Sequence, residues 1–85
     1  RTWALELAKD HITVNCVAPG PIATSVFWQN NPPDSEATRQ IVEGVPVGRM
    51  GTPEDVANAV SFFCDPRADF VTGQTLFVCG GVTVG

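Results

Sequence analysis

A well-signalled helix at residues 51–66 separates two runs of β-branched and apolar residues, and this order leaves few possible folds. The helical stretch, GTPEDVANAVSFFCDP, has Thr52 at the N-cap, Pro53 at the first helical position and Pro66 at its end. The runs on either side, HITVNCVA and GQTLFVC, predict two strands. Because a strand–helix–strand crossover is almost always right-handed, the two strands should be parallel and adjacent. The sequence therefore predicts α/β architecture.

A single unit of this kind cannot cover both faces of its own sheet. The predicted helix turns an apolar stripe toward the strands, made of Val56, Ala59, Val60 and Phe63. Other apolar surface should stay exposed unless further strands and helices flank the unit. The first residues, RTWALELAKD, already follow a helical pattern without an N-cap. We therefore interpret residues 1–85 as the C-terminal fragment of a single domain in a longer protein.

The charge balance argues against two classes of partner. The chain has nine acidic and five basic residues and a net charge of −4, so it offers no cationic surface to nucleic acid or to an anionic membrane. No apolar run approaches the roughly 20 residues that a membrane span needs. Three cysteines, Cys16, Cys64 and Cys79, lie among apolar residues and are interpreted as reduced core thiols of a cytoplasmic protein. The single histidine, His11, makes no metal site.

The stretch NCVAPGPIAT, residues 15–24, joins the first strand to a stiff turn. Pro19 and Pro21 each fix a backbone φ angle and remove an N–H group, so few donors remain that could point outward. Residues 19–48 show no dominant period and should form a long loop with one short helix near residues 35–42. Loops of this length usually serve a function. We therefore predict a turn that holds a ligand and a lid beside it.

Three linked motifs together cover most of the chain. They read NCVAPGPIAT, GRMGTPEDVANAVSFF and FVTGQTLFVCGG. In order and spacing they resemble the C-terminal third of the short-chain dehydrogenase/reductases, especially the 3-oxoacyl-carrier-protein reductase type. The resemblance implies the C-terminal βαβ portion of a Rossmann-type doubly wound parallel sheet, with a long lid loop. It also implies an NAD(P)-dependent oxidoreductase, of the kind used in fatty acid biosynthesis, that reduces a carbonyl such as a 3-oxoacyl thioester or oxidises a secondary alcohol.

By this resemblance, the turn after the first strand lies against the nicotinamide end of NAD or NADP. Pro19 and Gly20 would shape the approach to the ring, and the Ile22 backbone and the Thr24 hydroxyl would bond the carboxamide. The turn suits this role, because fixed φ angles present its remaining donors at low entropic cost. The choice between NAD and NADP stays open, because the residues that meet the ribose 2′ position would lie upstream.

The resemblance places no catalytic residue in this chain. In the family the Gly-rich phosphate turn, the catalytic Ser and the Tyr-x-x-x-Lys pair all lie upstream, and this chain contains no tyrosine. Phe27 and Trp28 follow the cofactor turn, where they either begin the lid over the substrate or simply pack against neighbours. The implied partner is a small-molecule or acyl-carrier-linked carbonyl substrate, whose identity stays open.

Five other residues receive specific interpretations. Asn15 should bond neighbouring backbone, and Arg49 should form a structural ion pair with an acidic residue of another segment. Cys79 stands where the family more often has Asp before Gly-Gly. Phe62 and Leu76, on the last helix and strand, should join the subunits of a homo-oligomer. The alternative function is a non-catalytic interaction module that assembles through its exposed βαβ surface.

Overall fold

The computed structural model describes residues 2–84; Arg1, where the first predicted helix begins, and Gly85 lie outside the described residues. The elements, in chain order, are α1 (Thr2–Ala8), β1 (Cys16–Pro19), α2 (Ser25–Asn30), α3 (Glu36–Glu43), α4 (Pro53–Cys64) and β2 (Thr75–Val78), with short 3-10 helices at Pro66–Ala68 and Val82–Val84. Between residues 2 and 84, no helix has the length and the apolar character that crossing a bilayer requires.

The two strands form a parallel pair, and α4 packs on both of them. Cys16 lies opposite Thr75, and Pro19 lies opposite Val78. The crossover through α4 closes a βαβ unit, so the predicted α/β architecture is confirmed. Because the strands run in the same direction, their carboxyl ends meet at one edge of the sheet. Ligands bind at this edge in open α/β sheets.

Both strands are shorter than the sequence predicts, and before β1 side chains replace part of the ladder. The first strand is predicted over residues 11–18, but pairing begins only at Cys16. Just before it, the Asn15 amide donates to the Val71 C=O at 2.9 Å and accepts from the Gln74 N–H at 3.0 Å. This side chain therefore ties the start of β1 to the loop before β2, and the prediction that Asn15 bonds backbone is confirmed.

The fourth helix begins and ends where the sequence predicts. The Thr52 hydroxyl accepts from the Asp55 N–H at 3.2 Å, and the Asp55 carboxylate accepts from the Thr52 N–H at 2.8 Å. This capping box satisfies donors that the first turn would otherwise leave unpaired. The helix ends at Cys64, because Pro66 has no N–H with which to continue it.

Residues 19–48 contain two short helices where the sequence predicts one. The predicted helix near residues 35–42 is α3. The other helix, α2, is not predicted, so the prediction that the rest of this region is loop is wrong at α2. Thr24 starts α2, because its hydroxyl accepts from the Phe27 N–H at 3.2 Å. The aromatic and β-branched residues of α2 have low helix propensity, so the pattern alone does not reveal it.

The buried core is small. Its apolar members are modest in size: Ala4, Val45, Met50, Ala59 and Ala68. Val60, which belongs to the predicted stripe, is 45% exposed, and Phe62 is 52% exposed. Such exposure is expected of one βαβ unit, since α4 is the helix that packs on its two-stranded sheet.

The prediction of core thiols is wrong for two of the three cysteines. Cys16 and Cys64 are exposed and Cys79 is half-buried, although all three are free thiols. The cause is the same one that exposes Val60. Apolar neighbours in the sequence do not bury a residue when its side of the sheet or helix faces no other layer.

Candidate functional site

The turn at residues 19–24 leaves the sheet at the carboxyl end of β1. Its first attachment is to β2, because the Gly20 N–H donates to the Val78 C=O at 2.9 Å. The approach is very close: a Cβ atom on Gly20 would lie 2.8 Å from both Cα and Cβ of Cys79. Glycine is therefore required here to let the turn pass the chain that follows β2.

The second attachment joins the turn to the segment before α4. Ile22 and Gly51 form an isolated parallel bridge. In it the Ala23 N–H donates to the Gly51 C=O at 2.9 Å, and the Gly51 N–H donates to the Pro21 C=O at 2.8 Å. A Cβ atom on Gly51 would lie 2.5 Å from Cδ1 of Ile22, so this contact is also close. The turn is thus fixed on two sides.

The Ile22 backbone is the part of the turn that stays available. In a parallel bridge the two neighbours of the central residue make the hydrogen bonds, and its own N–H and C=O point the other way. Within residues 2–84, neither of these two groups of Ile22 has a hydrogen-bond partner. The turn therefore presents one donor and one acceptor side by side, on a backbone that is held in place.

Thr24 lies at the end of the turn and is exposed. Its hydroxyl oxygen accepts from the Phe27 N–H, which leaves the hydroxyl hydrogen free to donate to another group. The structure therefore brings the Ile22 backbone and the Thr24 hydroxyl into one short turn, as the sequence predicts. Their binding of a carboxamide stays a prediction.

Phe27 and Trp28 lie in α2, directly after the turn. Their ring centroids are 5.1 Å apart with the planes at 72°, an edge-to-face pair. Phe27 is half-buried and Trp28 is 36% exposed. Extensive packing between elements is confined, in the part of the chain described, to β1, β2, α4 and the 3-10 helix Pro66–Ala68. The aromatic pair thus stands on an element outside the core, the position that a lid would have.

A buried threonine holds α2 and α3 together. Thr38 is 3% exposed, and its hydroxyl donates to the Pro32 C=O at 3.0 Å while it accepts from the Ser35 hydroxyl at 3.0 Å. The Asn31 amide donates to the Phe27 C=O at 3.2 Å. Hydrogen bonds from Thr38 to the Asn31 and Pro32 C=O groups therefore connect the end of α2 to α3.

An ion pair lies beside Gly51, on the segment that precedes α4. Nη1 of Arg49 donates to Oδ2 of Asp55 at 2.8 Å and to the Met50 C=O at 2.9 Å. The hydrogen bond from Arg49, together with that from the Thr52 N–H, holds the pKa of Asp55 well below its ordinary range. The stabilisation is therefore fully present above the ordinary carboxylate pKa, and it is lost progressively as pH falls from there through the lower folded value. The predicted structural ion pair of Arg49 is confirmed.

A cavity of about 340 Å³ lies behind the turn, along β2. Its lining includes Pro21, Val45, Asn58, Leu76 and Val78. Ile22 and Thr24 do not line it, so the cavity is separate from the available face of the turn. Within residues 2–84, no three His, Cys, Asp or Glu side chains come together in a way that could hold a metal ion.

Comparison with known proteins identifies the family. Residues 1–83 match the family model described as enoyl-(acyl carrier protein) reductase. The chain belongs to the short-chain dehydrogenase/reductases. The 3-oxoacyl-[acyl-carrier-protein] reductase FabG of Aggregatibacter actinomycetemcomitans is 49% identical over 82 residues, which are 96% of this chain and 32% of that protein. The predicted family is therefore confirmed.

Two solved structures extend the comparison to the fold. YwfH, an NADPH-dependent reductase involved in bacilysin biosynthesis, superposes with a TM-score of 0.83 at 34% identity, over 95% of this chain and 34% of that one. A 7α-hydroxysteroid dehydrogenase, solved with NADH and 7-oxo glycochenodeoxycholic acid, superposes with a TM-score of 0.81 at 39% identity, over 94% of this chain and 31% of that one. The predicted Rossmann-type portion is confirmed, and this short-chain dehydrogenase/reductase chain spans about a third of the length of these relatives.

In this short-chain dehydrogenase/reductase chain, Cys79 does the hydrogen bonding that a carboxylate could do. Its sulfur lies 3.3 Å from the Thr83 hydroxyl, at the start of the 3-10 helix Val82–Val84. That hydroxyl, with backbone N–H groups of Thr83 and Gly81, lowers the pKa of Cys79. These contacts connect the residue after β2 with the 3-10 helix that follows it.

Gly51 and Asp55 belong to the site's framework but are not predicted from the sequence. A weak signal exists, since a glycine directly before an N-cap can mark a close approach of two backbones. The sequence does not show that the backbone close to Gly51 is that of Pro21–Ala23, because the bridge joins segments on either side of α2 and α3.

Proposed function

We propose that residues 1–85 are the C-terminal part of an NAD(P)-dependent oxidoreductase that reduces a carbonyl compound or oxidises a secondary alcohol, with its cofactor turn and substrate lid in residues 19–48. The observation that carries the proposal is the unpaired Ile22 backbone on a turn fixed at both ends. A nicotinamide carboxamide has an acceptor oxygen and a donor NH₂ group, and the Ile22 backbone offers the complementary pair.

Each residue of the turn has a defined part in this proposal. The cofactor, when bound, supplies or accepts the hydride. The Ile22 N–H donates to the carboxamide oxygen, the Ile22 C=O accepts from the amide nitrogen, and the Thr24 hydroxyl adds a further hydrogen bond. Pro19 and Gly20, which are held against β2, form the wall beside the ring. Because these groups are already ordered, binding the ring costs little conformational entropy.

The proposed substrate is a 3-oxoacyl thioester on an acyl carrier. This choice rests on the 49% identity to FabG, which exceeds the 39% identity to the hydroxysteroid dehydrogenase. The Phe27–Trp28 pair on α2 supplies an apolar surface next to the turn, where an acyl chain could lie. Titration of the complete protein with NADH and NADPH tests the proposal first, and failure of both cofactors to bind would overturn it.

Thr24→Val should weaken binding of the preferred cofactor by about threefold to tenfold, because one hydrogen bond contributes about 0.5 to 1.5 kcal/mol. The same change removes the N-cap of α2, so Thr24→Ser, which keeps both functions, is the control. Thr24→Asp separates the two roles, since a carboxylate accepts from the Phe27 N–H but donates nothing. Fluorescence titration measures the affinities. If the affinity of Thr24→Asp for the cofactor equals that of the wild type, the hydroxyl does not donate to the cofactor.

We also propose a homo-oligomer in which α4 and β2 meet their copies in a second subunit. Phe62 is 52% and Leu76 is 40% exposed, and burying the part of each that is still exposed would contribute about 0.5 to 1.5 kcal/mol. Phe62→Glu or Leu76→Glu should therefore lower the mass measured by light scattering to that of the monomer. Phe70 is 99% exposed and lies outside both elements, so Phe70→Glu is the matched control and should leave the mass unchanged. A monomeric wild type would refute the interface.

A further inference from the structure

The Arg49–Asp55 pair lies one residue from the point where the cofactor turn is fastened. Gly51 makes both hydrogen bonds of the bridge to the turn, and it lies between Met50, whose C=O accepts from Arg49, and Thr52, whose N–H donates to Asp55. The residues on both sides of Gly51 are thus held by the same ion pair. The segment belongs to no helix or strand of its own, so apart from the bridge it is held by this ion pair and by the buried side chain of Met50.

We infer that Arg49 and Asp55 are positioning residues, which fix Gly51 and through it set the position of the turn that receives the nicotinamide ring. The inference rests on the proposed function of that turn. The connection is made of short, charge-assisted hydrogen bonds: 2.8 Å from Arg49 to Asp55, and 2.8 Å from the Thr52 N–H to the same oxygen of Asp55. Two further backbone bonds then lead from Gly51 to Pro21 and Ala23.

The geometry explains why the pair involves arginine. Nη1 donates to the Met50 C=O and to Asp55 at the same time, and Nη2 lies 3.4 Å from the other Asp55 oxygen. A guanidinium holds these donors in one plane, whereas a lysine ammonium is a single point charge on a flexible stem. The ion pair therefore fixes the orientation of the segment in addition to attracting Arg49 to Asp55.

The chain contains a matched pair that lacks this connection. Arg67 donates to Asp65 at 2.7 Å and 3.0 Å, at the other end of α4. The Asp65 side chain is 30% exposed, close to the 29% of Asp55, although Arg67 is more exposed (91%) than Arg49 (58%). Asp65 also caps a helical turn, that of Pro66–Ala68, but no hydrogen bond leads from it to the cofactor turn. Arg67→Gln thus removes a similar ion pair without touching Gly51.

The test compares Arg49→Gln with Arg67→Gln in the complete protein. The ligands are NADH and ADP-ribose, which lacks the nicotinamide, or NADPH and 2′-phospho-ADP-ribose if NADPH binds more tightly. Arg49→Gln should weaken dinucleotide binding by about threefold to fivefold, as expected for losing one surface ion pair, and should leave binding of the truncated ligand unchanged. Arg67→Gln should change neither affinity. Equal losses for both ligands, or none, would overturn the inference.

Amide hydrogen exchange gives an answer that does not depend on the cofactor. In Arg49→Gln the Ala23 and Gly51 amides should exchange faster, whereas the Gly20 amide, which bonds Val78 on β2, should keep its rate. Unchanged exchange at Ala23 would refute the positioning role even if the dinucleotide binds. If the wild type binds neither dinucleotide, the proposed function is wrong, but amide exchange at Ala23 still tests whether Arg49 positions the turn. Should Arg49→Gln fail to fold, Arg49→Lys, with the charge kept but the fork lost, takes its place.

Discussion

Gly20→Ala should destabilise the protein by about 1 to 3 kcal/mol and lower its affinity for NAD(P)H at least about tenfold. The added methyl group would lie 2.8 Å from two carbon atoms of Cys79, one of them in the backbone. Neither side can move without cost. The Gly20 N–H is bonded to Val78, and the parallel register of β1 and β2 fixes the approach of the two chains. Displacing the turn would also displace the Ile22 backbone, which we propose binds the nicotinamide carboxamide.

Gly44→Ala is the control for this prediction. Gly44 ends α3 with an ordinary φ of −82°, and the nearest atom to an added Cβ is the Ile41 oxygen at 3.5 Å, a normal contact. We expect a change in stability within about 0.5 kcal/mol and unaltered cofactor affinity. Chemical unfolding and fluorescence titration of both variants measure the two effects. If the two alanine variants behave alike, the close approach at Gly20 does not govern the site.

The 85-residue chain by itself should reduce no carbonyl substrate with NADH or NADPH. It contains no tyrosine, which is the acid that the family resemblance implies, and the same resemblance places the phosphate-binding turn outside it. A helix N-terminus normally anchors the pyrophosphate, so binding of the dinucleotide to this chain alone should be weak. Steady-state assays with a 3-oxoacyl thioester measure the first effect, and fluorescence titration measures the second.

Two results would contradict this prediction. Turnover by the pure chain would show that the chemistry does not require the implied tyrosine. Micromolar binding of either dinucleotide would show that the turn at residues 19–24 suffices for affinity. If the chain is inactive but forms a defined assembly in which residues 56–79 are covered, the alternative function, an interaction module, gains direct support.

The sequence predicts the parts of this fold that depend on local chemistry. Thr52, Pro53 and Pro66 mark the limits of α4, because capping and proline effects act within a few residues. The apolar runs identify both strands, and Asn15 is correctly expected to bond backbone. For the same reason the stiffness of the turn at residues 19–24 can be read directly from its prolines.

The features that the sequence does not predict depend on partners distant along the chain. The bridge between Ile22 and Gly51 joins segments on either side of α2 and α3, and the sequence around either residue does not indicate the other as its partner. The exposure of Cys16 and Cys64 depends on which layers cover the sheet, and hydrophobic neighbours alone do not settle it. The length of β1 is set by Asn15, whose side chain makes bonds that a ladder would otherwise make.

The parallel pairing of β1 with β2 also sets the order in which the site can be built during synthesis. Asn15 and Gln74, which bond each other beside the pair, are 59 residues apart. Closing so long a loop carries an entropic cost that pairing must offset, and contacts of this kind form late and slowly. Gly20 cannot take its place until Val78 has left the ribosome, because Val78 supplies the acceptor for its N–H. A nascent chain that ends before residue 78 therefore carries the Pro19–Thr24 sequence without the framework that holds the Ile22 backbone in place.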